Sequence, residues 1–463
     1  MDGSTTSDVA VVGAGISGLA TAHFLASKGL KCLLIEKGDR AGGNIRTTRT
    51  GGFLIEHGPN SMQNATPLLA QLCAELGLEE AIVYPGANGK NRYVVRDHTL
   101  HALPTSPAAL IKSKLFSGRA KIRLLKEPFV APAPADAEED LAAFTRRRLG
   151  EEFLDYAIDP FVAGVYAGLP EELSVRSGFP RLHRLEQRYG SLIKGAILGA
   201  RERRRAHPGR HISLFSFAGG MQTLVDALAT ARREALQTGT RVRAIRKRAG
   251  GFALELETPT EHRLLLVRTV VLTIPAYAYE ELEFGFDFEP GSSLRQLYYP
   301  PVTLAFFGYR EAPGGHPLDG FGFLVPRLEK RQILGTVWNS SLFAGRTPQG
   351  GVALSTFVGG SRQPENAGWS DTHLSAAVQR DLRDLLGIRE EPDEVLIQRW
   401  PRAIPQYRPG HQHFVDTLAA CEKRHPGLYL SGNFRSGISV GDCIDQAHAL
   451  SARVAAELKN QEN

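Results

Sequence analysis

Only four cysteines occur in 463 residues, and Cys32, Cys73, Cys421 and Cys443 stand apart with no CxxC pair and no metal-ligand spacing. That excludes a disulfide-stapled secreted scaffold and a zinc ribbon. It predicts buried or inert thiols in a reducing cytoplasm, with no metal bound. Long apolar runs are missing too. Val270–Ala276 is typical of the longest, far below the roughly 18–20 residues that a membrane span needs. Met1–Ser7 is short and polar and leads straight into the first apolar run, Val9–Val12, so no secretory signal is expected. The 14 histidines show no HExxH-type spacing, and no Ser/His/Asp or Cys/His constellation stands out. Aromatics do not interleave with the basic clusters, which argues against nucleic acid as a partner. Internal repeats and low-complexity tracts are absent.

What is present is a globular composition, 42% hydrophobic and 22% charged, with a formal charge of +6. The length suits about two to three domains. The basic excess is clustered: Lys112, Lys114, Arg119, Lys121, Arg123 and Lys126 face a single acid, Glu127, between Pro104 and Pro132. A second cluster is Arg201, Arg203, Arg204 and Arg205, read as a solvated helix face. Asp8–Val12 and Lys31–Glu36 read as strands around a helix from Ser17 to Ser27, a β-α-β unit with a parallel pair. The stretch 104–168 reads as largely helical. In it Ile122, Leu125 and Phe129 share one face, Ala131–Ala135 is a loop, and a helix begins near Ala137 with Glu138, Glu139 and Asp140 in its first turn. From Thr240 the pattern turns to β: Arg241–Ile245, Phe252–Glu257, Arg263–Val267 and Val270–Ile274 predict a meander. More strands are expected near Val302–Tyr309, Phe321–Val325, Ile333–Asn339, Val352–Val358, Val395–Arg399 and Leu428–Ser431. Helices are expected over Asp371–Leu386 and Cys443–Leu458.

Gly13-Ala14-Gly15-Ile16-Ser17-Gly18 follows a strand and opens a helix. Gly13 allows the tight turn, Gly15 lets backbone approach a pyrophosphate, and Gly18 permits close helix–strand packing, while the helix N-terminus offers free N–H groups to the phosphates. Glu36, about 20 residues on, can accept hydrogen bonds from ribose hydroxyls. Lys37 follows it. Arg40, Gly42, Gly43 and Asn44 form a second glycine-rich element just past the carboxylate, and His57, Gly58, Pro59, Asn60 and Ser61 extend it. Near the far end Gly432 through Ile438, Ser439, Val440 and Asp442 precede a helix whose positive end can face a ring that gains negative charge on reduction.

The second glycine element resembles the signature of the flavoprotein amine oxidase superfamily, which selects FAD over NAD. Further segments resemble the protoporphyrinogen oxidase family: Gly164–Gly168 with Leu173-Ser174 and Phe179-Pro180, Gly320–Pro326, Leu334-Gly335 with Asn339–Phe343, Phe357–Gly360, Trp400-Pro401 with Ile404–Tyr407, and Gly432–Cys443. The resemblance covers nearly the whole chain. It implies an α/β fold: a Rossmann-like FAD-binding domain of the amine oxidase/PHBH type (1–80, 210–280 and 402–463), a mixed α+β substrate domain (81–97, 190–209 and 281–401) and a helical, membrane-associating insertion (98–189). It adds Val242 and Trp400 to the cofactor residues.

The family removes hydrogens from a porphyrinogen in repeated two-electron steps, passing a hydride to FAD, with O2 as acceptor giving H2O2. By the same resemblance Arg92 pairs with a substrate propionate, Phe321, Leu324 and Phe357 sandwich the macrocycle, and the Gly164 backbone approaches the ring. No firm catalytic acid or base is implied. Phe357 stands where some relatives have Met, and Asn433 follows Gly432 where amine oxidases carry Glu. The basic helical segment implies an anionic membrane surface as partner, hence a cytoplasmic protein held peripherally at the inner face of the membrane, and a homodimer is compatible with the family. Coproporphyrinogen III as substrate, amine oxidation on the same fold, and a non-catalytic flavin-binding regulator are the alternatives.

Overall fold

The computed structural model describes residues 7–64, 66–206 and 213–462. The chain start before Ser7, the side chains of Arg203 and Arg204, and the domain boundary expected at 209–210 lie outside the described residues.

The first sheet begins with the β-α-β unit. Strands Ser7–Val12 and Cys32–Ile35 pair in parallel around helix Ile16–Ala26. This helix carries no charged residue other than His23 and is apolar all round, so it sits inside the protein. Helix Val440–Glu462 packs along it, and the Ser451 hydroxyl donates to the Thr21 carbonyl at 3.2 Å. The two ends of the chain thus share one core.

The expected meander is corrected at one place. Arg263–Val267 and Val270–Ile274 are not separate strands but one strand, His262–Leu272. Its first half pairs antiparallel with Gly251–Glu257, and its second half pairs in parallel with Ser7–Val12 and with Leu428–Leu430. Arg268 suggests a break because it is a charge in an apolar run, but the strand only changes partners there.

A second sheet runs in the order Glu394–Trp400, Val302–Tyr309, Val352–Gly359, Ile333–Trp338, Gly322–Leu324, Arg92–Arg96, Thr99–Ala102. Side chains alternate between its faces. Ala305, Phe307, Phe323, Leu354 and Val358 point to one face, which helix Asp371–Leu386 covers with Leu374, Val378 and Leu382. The other face meets the strand Phe53–Glu56 at one end, through Phe53 and Phe306. At its other end Val94 packs with Leu115 and Phe116 of the helical segment.

The helical segment contains Pro107–Lys112, Gly118–Leu125, Leu141–Arg148, Asp159–Tyr166, Pro180–Tyr189 and Leu192–Ala206. The helix expected near Ala137 starts later, at Leu141, with the Asp140 carboxylate as N-cap accepting from the Ala143 N–H at 2.7 Å. An Asp that caps a helix stands before its first turn, not in it. Glu139 instead pairs with Arg147 at 2.6 Å. Arg148 is wholly buried, held by Glu127 and Glu186.

Candidate functional site

Gly13 has φ +99°, and a Cβ there would lie 3.0–3.3 Å from Thr273 and Ile274. A Cβ on Gly18 would lie 1.8 Å from the Gly13 carbonyl oxygen, so the helix can start this close to the strand only with glycine. Gly15 differs: no atom comes within 4 Å of its Cβ position. It is also the N-cap of helix Ile16–Ala26 and provides no side-chain cap, which leaves first-turn N–H groups directed at that open space.

The Glu36 carboxylate accepts the Ala14 N–H at 2.8 Å and the Gly38 N–H at 2.9 Å. Both oxygens keep lone pairs for further donors. Lys37 points elsewhere, to Glu281 at 3.0 Å. Arg40 ties the second glycine loop together, donating to the carbonyls of Ala41, Gly43 and Ile45 at 3.0, 2.7 and 3.1 Å. The Gly42 N–H bonds to the Ala14 carbonyl at 2.7 Å, and Gly42 bridges Gly15. Gly58 lies so near Asn44 that a Cβ would be 2.2 Å from its carbonyl oxygen. The Asn60 Oδ1 is buried without a partner. Pro59 and Ser61 flank it, half-buried, and Val242 is buried in strand Arg241–Arg248.

At the other end of the chain, Ser439 and Asp442 cap helix Val440–Glu462 reciprocally. The Ser439 N–H and hydroxyl donate to the Asp442 carboxylate at 3.1 and 2.6 Å, and the Asp442 N–H returns to the hydroxyl at 3.0 Å. Nothing lies closer than 3.8 Å to a Cβ at Gly441. Gly432 has φ +142°, and Ile438 is half-buried beside the cap.

His57 fastens the hairpin Thr47–Thr50/Phe53–Glu56 to strand Glu394–Trp400 of the second sheet. Its carbonyl accepts the Trp400 indole N–H at 2.8 Å, its Nδ1–H donates to Gln398 Oε1 at 2.9 Å, and Thr48 donates to its Nε2 at 3.0 Å. Burial depresses its pKa, which keeps the ring neutral at neutral pH. Burial also pushes the neighbouring Glu56 up to about 7, against hydrogen bonds from Thr47 and the Met221 N–H. Gln398 and Leu304 are parts of this arrangement that sequence motifs do not signal, while Gln406 lies in the Ile404–Tyr407 segment, which gives it no role by itself. The Gln406 amide donates to the Tyr166 carbonyl at 2.8 Å and so seats the end of helix Asp159–Tyr166.

Gln398 starts a row across the second sheet: Gln398 pairs with Leu304, Leu304 with Phe357, Phe357 with Gly335, and Gly335 with Leu324. Residues in one row share a face. Arg92 pairs with Gly322, two residues from Leu324, and so belongs to the same face. Leu324 and Phe357 are half-buried there, and the Leu324 side chain leans over the glycine between them, where a Cβ would lie 3.1 Å from Leu324 Cδ2. Gly164 packs directly on Leu324: a Cβ at Gly164 would lie 2.3 Å from Leu324 Cδ2. Arg92 is exposed at the rim, its guanidinium 5.2 Å from the centre of the Phe321 ring. Among the described residues it has no carboxylate partner. Arg92, Leu324 and Phe357 therefore share one mainly apolar face, with Phe321 beside Arg92 and Gly164 against Leu324.

The family described as flavin-containing amine oxidoreductases matches residues 16–455. The chain belongs to this family. Protoporphyrinogen oxidase 2, chloroplastic/mitochondrial, of Arabidopsis thaliana is 33% identical over 94% of this chain and 91% of the relative. The coproporphyrinogen III oxidase of Bacillus subtilis is 28% identical over 95% of this chain and 96% of its own length. A solved structure from Exiguobacterium sp. 255-15 superposes with a TM-score of 0.81 at 25% identity, covering 98% and 99% of the two chains. The protein is an FAD-dependent oxidoreductase of this family, and its residues fit the cofactor. The open space over Gly15, the unpartnered Asn60 Oδ1 and the clear helix end at Gly441 leave room and an unfilled hydrogen-bonding position that a dinucleotide would suit.

Proposed function

We propose that this chain oxidises protoporphyrinogen IX to protoporphyrin IX with O2 as final acceptor, giving H2O2. The observation that carries the reading is the face just described, with apolar walls for a flat macrocycle and one unpaired cation at the rim for a carboxylate. The porphyrinogen oxidases among the relatives support it. FAD, when bound, supplies the two-electron acceptor. Gly13–Gly18, Glu36, Arg40–Asn44 and Gly58–Ser61 hold it, with Val242, Trp400, Gly432 and Ile438–Val440 completing the cradle. The FAD-binding part is 1–80, 210–280 and 402–463, the substrate part 81–97 and 281–401, and the helical part 98–189 together with helix Leu192–Ala206, which packs on Pro180–Tyr189 rather than on the substrate part.

The side chains orient rather than ionise the substrate. Phe321, Leu324 and Phe357 line the slot, Gly164 admits the ring edge, and Arg92 pairs with a propionate. Aromatisation of the macrocycle drives the reaction, so a strong protein base is not needed. The helical part rests on an anionic membrane at its cytoplasmic side through Ile111, Ile122, Leu125 and Phe129, which are 73%, 61%, 73% and 87% exposed.

The test is anaerobic mixing with protoporphyrinogen IX and, separately, coproporphyrinogen III, following loss of flavin absorbance and then peroxide on admitting air. Faster bleaching by protoporphyrinogen is expected. Faster bleaching by the tetracarboxylate moves the assignment to coproporphyrinogen, and no bleaching by either rejects it. In Arg92→Ala, loss of a charge-assisted pair of about 1.5–3 kcal/mol predicts a roughly 10- to 100-fold lower kcat/KM with unchanged flavin content. Reduced flavin content would contradict the role given to Arg92.

A further inference from the structure

Outside the cofactor cradle, three side chains from distant parts of the chain converge beneath the last strand. Glu289 follows strand Glu283–Phe284, Cys421 lies in the last turn of helix His411–Arg424, and His425 stands just past it. One ligand atom from each, a carboxylate oxygen, a thiol sulfur and an imidazole nitrogen, lie within 4.8 Å of one another. Two of them have no partner: His425 Nδ1 and Glu289 Oε2 are both buried and make no hydrogen bond. His425 is only 5% exposed and Cys421 fully buried. A buried acceptor left unpaired costs about 1–3 kcal/mol, and here two occur on residues of one cluster.

The second atoms of both groups are already used in a way that frees the first. The Nε2–H of His425 donates to the Asp287 carbonyl at 2.9 Å, which fixes the tautomer and leaves the Nδ1 lone pair available. Histidines that ligate metals are oriented by the same kind of outer hydrogen bond. Glu289 is held through Oε1 by Arg424, so Oε2 stays free. The Glu289 side chain is 27% exposed, which gives a path from solvent.

We propose that Glu289, Cys421 and His425 form a binding site for one zinc-class divalent cation, with water in the fourth position. Sulfur, nitrogen and oxygen together suit that class of ion. Tetrahedral zinc places such ligands about 3.5 Å apart, so the present spread closes with small side-chain movements. Binding releases the thiol proton to solvent as the sulfur–metal bond forms. The ion ties the segment after Phe284 to the chain three residues before strand Leu428–Leu430, whose continuation carries Gly432 and Ser439. It is a brace behind the cofactor cradle, with no part in the redox step. Sequence spacing could not show it, because Glu289 is more than a hundred residues from Cys421.

The experiment uses the flavin-loaded protein, stripped with a chelator and titrated with Co2+ alone. Uptake of about one ion per chain with a thiolate-to-cobalt charge-transfer band is expected. Cys421→Ser should lose that band, and His425→Gln should weaken binding about 10- to 100-fold, both with normal flavin content. Zn2+ should raise the melting temperature of the wild type and not of Cys421→Ser. If either variant fails to fold, the wild-type titration still decides. No uptake by the wild type, or a band that survives in Cys421→Ser, overturns the site.

Discussion

The cofactor cradle and the helical segment treat their apolar and charged residues in opposite ways. In the cradle, helix Ile16–Ala26 hides nearly every side chain, and the open space sits over glycine backbone. In the segment 104–206, Gly118–Leu125 turns Ile122 and Leu125 to solvent while an arginine, Arg148, lies fully buried. The cradle is built to receive a molecule into backbone. The helical segment turns apolar side chains outward and joins an internal ionic cluster to a small core that includes Leu141, Phe144, Val162 and Leu173.

The sharpest break in that comparison lies inside one motif. Gly18→Ala forces a Cβ against the Gly13 carbonyl and should cost the fold several kcal/mol, as overpacking against unyielding backbone does. Gly15→Val meets open space at a φ of −68° and should leave the apoprotein folded. It should abolish flavin retention all the same. Far-UV circular dichroism beside the flavin spectrum separates the two, and a yellow Gly15→Val protein would sink the pyrophosphate assignment.

Next in size is the clamp of the helical segment. Arg148 donates through Nε to Glu186 at 2.6 Å and reaches Glu127 at 3.2 Å, with the carbonyls of Val130 and Gly190 at 3.0 Å. Arg148→Ala takes the buried countercharge from Glu127, leaving it only Ser191 and backbone N–H donors, leaves Glu186 with Arg147 alone, and should destabilise by about 3–5 kcal/mol. Since the cradle shares no core with it, the flavin that remains bound should keep its spectrum. Thermal unfolding followed by flavin release and by tryptophan emission tests this. A loss below about 1 kcal/mol would show that the triad is not a clamp.

What could be read in advance follows the same division. Gly13 to Gly18, Glu36 and the second glycine loop are legible because one local stretch carries both the turn and the binding groups. The helix Asp371–Leu386 is legible with its ends, since Ser370 caps it and Gly387 takes φ +75°. The substrate face is not legible from pattern, because Leu324, Gly335, Phe357, Leu304 and Gln398 come from five strands and only the register brings them together. Arg92 and Gly164 were found through resemblance alone, and His57 showed only as an extension of the second glycine element, without its link to Gln398. The break expected within His262–Leu272 failed for a related reason: periodicity marks a strand but not a change of partner.

The smallest effect on stability belongs to the exposed apolar stripe. Ile122, Leu125 and Phe129 bury little, so replacing all three with serine should change the unfolding free energy by no more than about 0.5 kcal/mol per site. Some basic neighbours are already engaged with backbone: Lys121 Nζ donates to the Ile111 and Ser113 carbonyls at 2.9 and 2.7 Å, and Arg123 to the Arg147 carbonyl at 2.6 Å. Lys112, Lys114, Arg119 and Lys126 are exposed at the surface. The triple variant should therefore lose sedimentation with vesicles containing phosphatidylserine while keeping its flavin and its turnover in detergent. Wild type that fails to bind such vesicles, or a triple variant that binds them equally well, would mean that the stripe faces another protein or only water. High salt should weaken wild-type binding without abolishing it, because the stripe contributes an apolar term that ions do not screen.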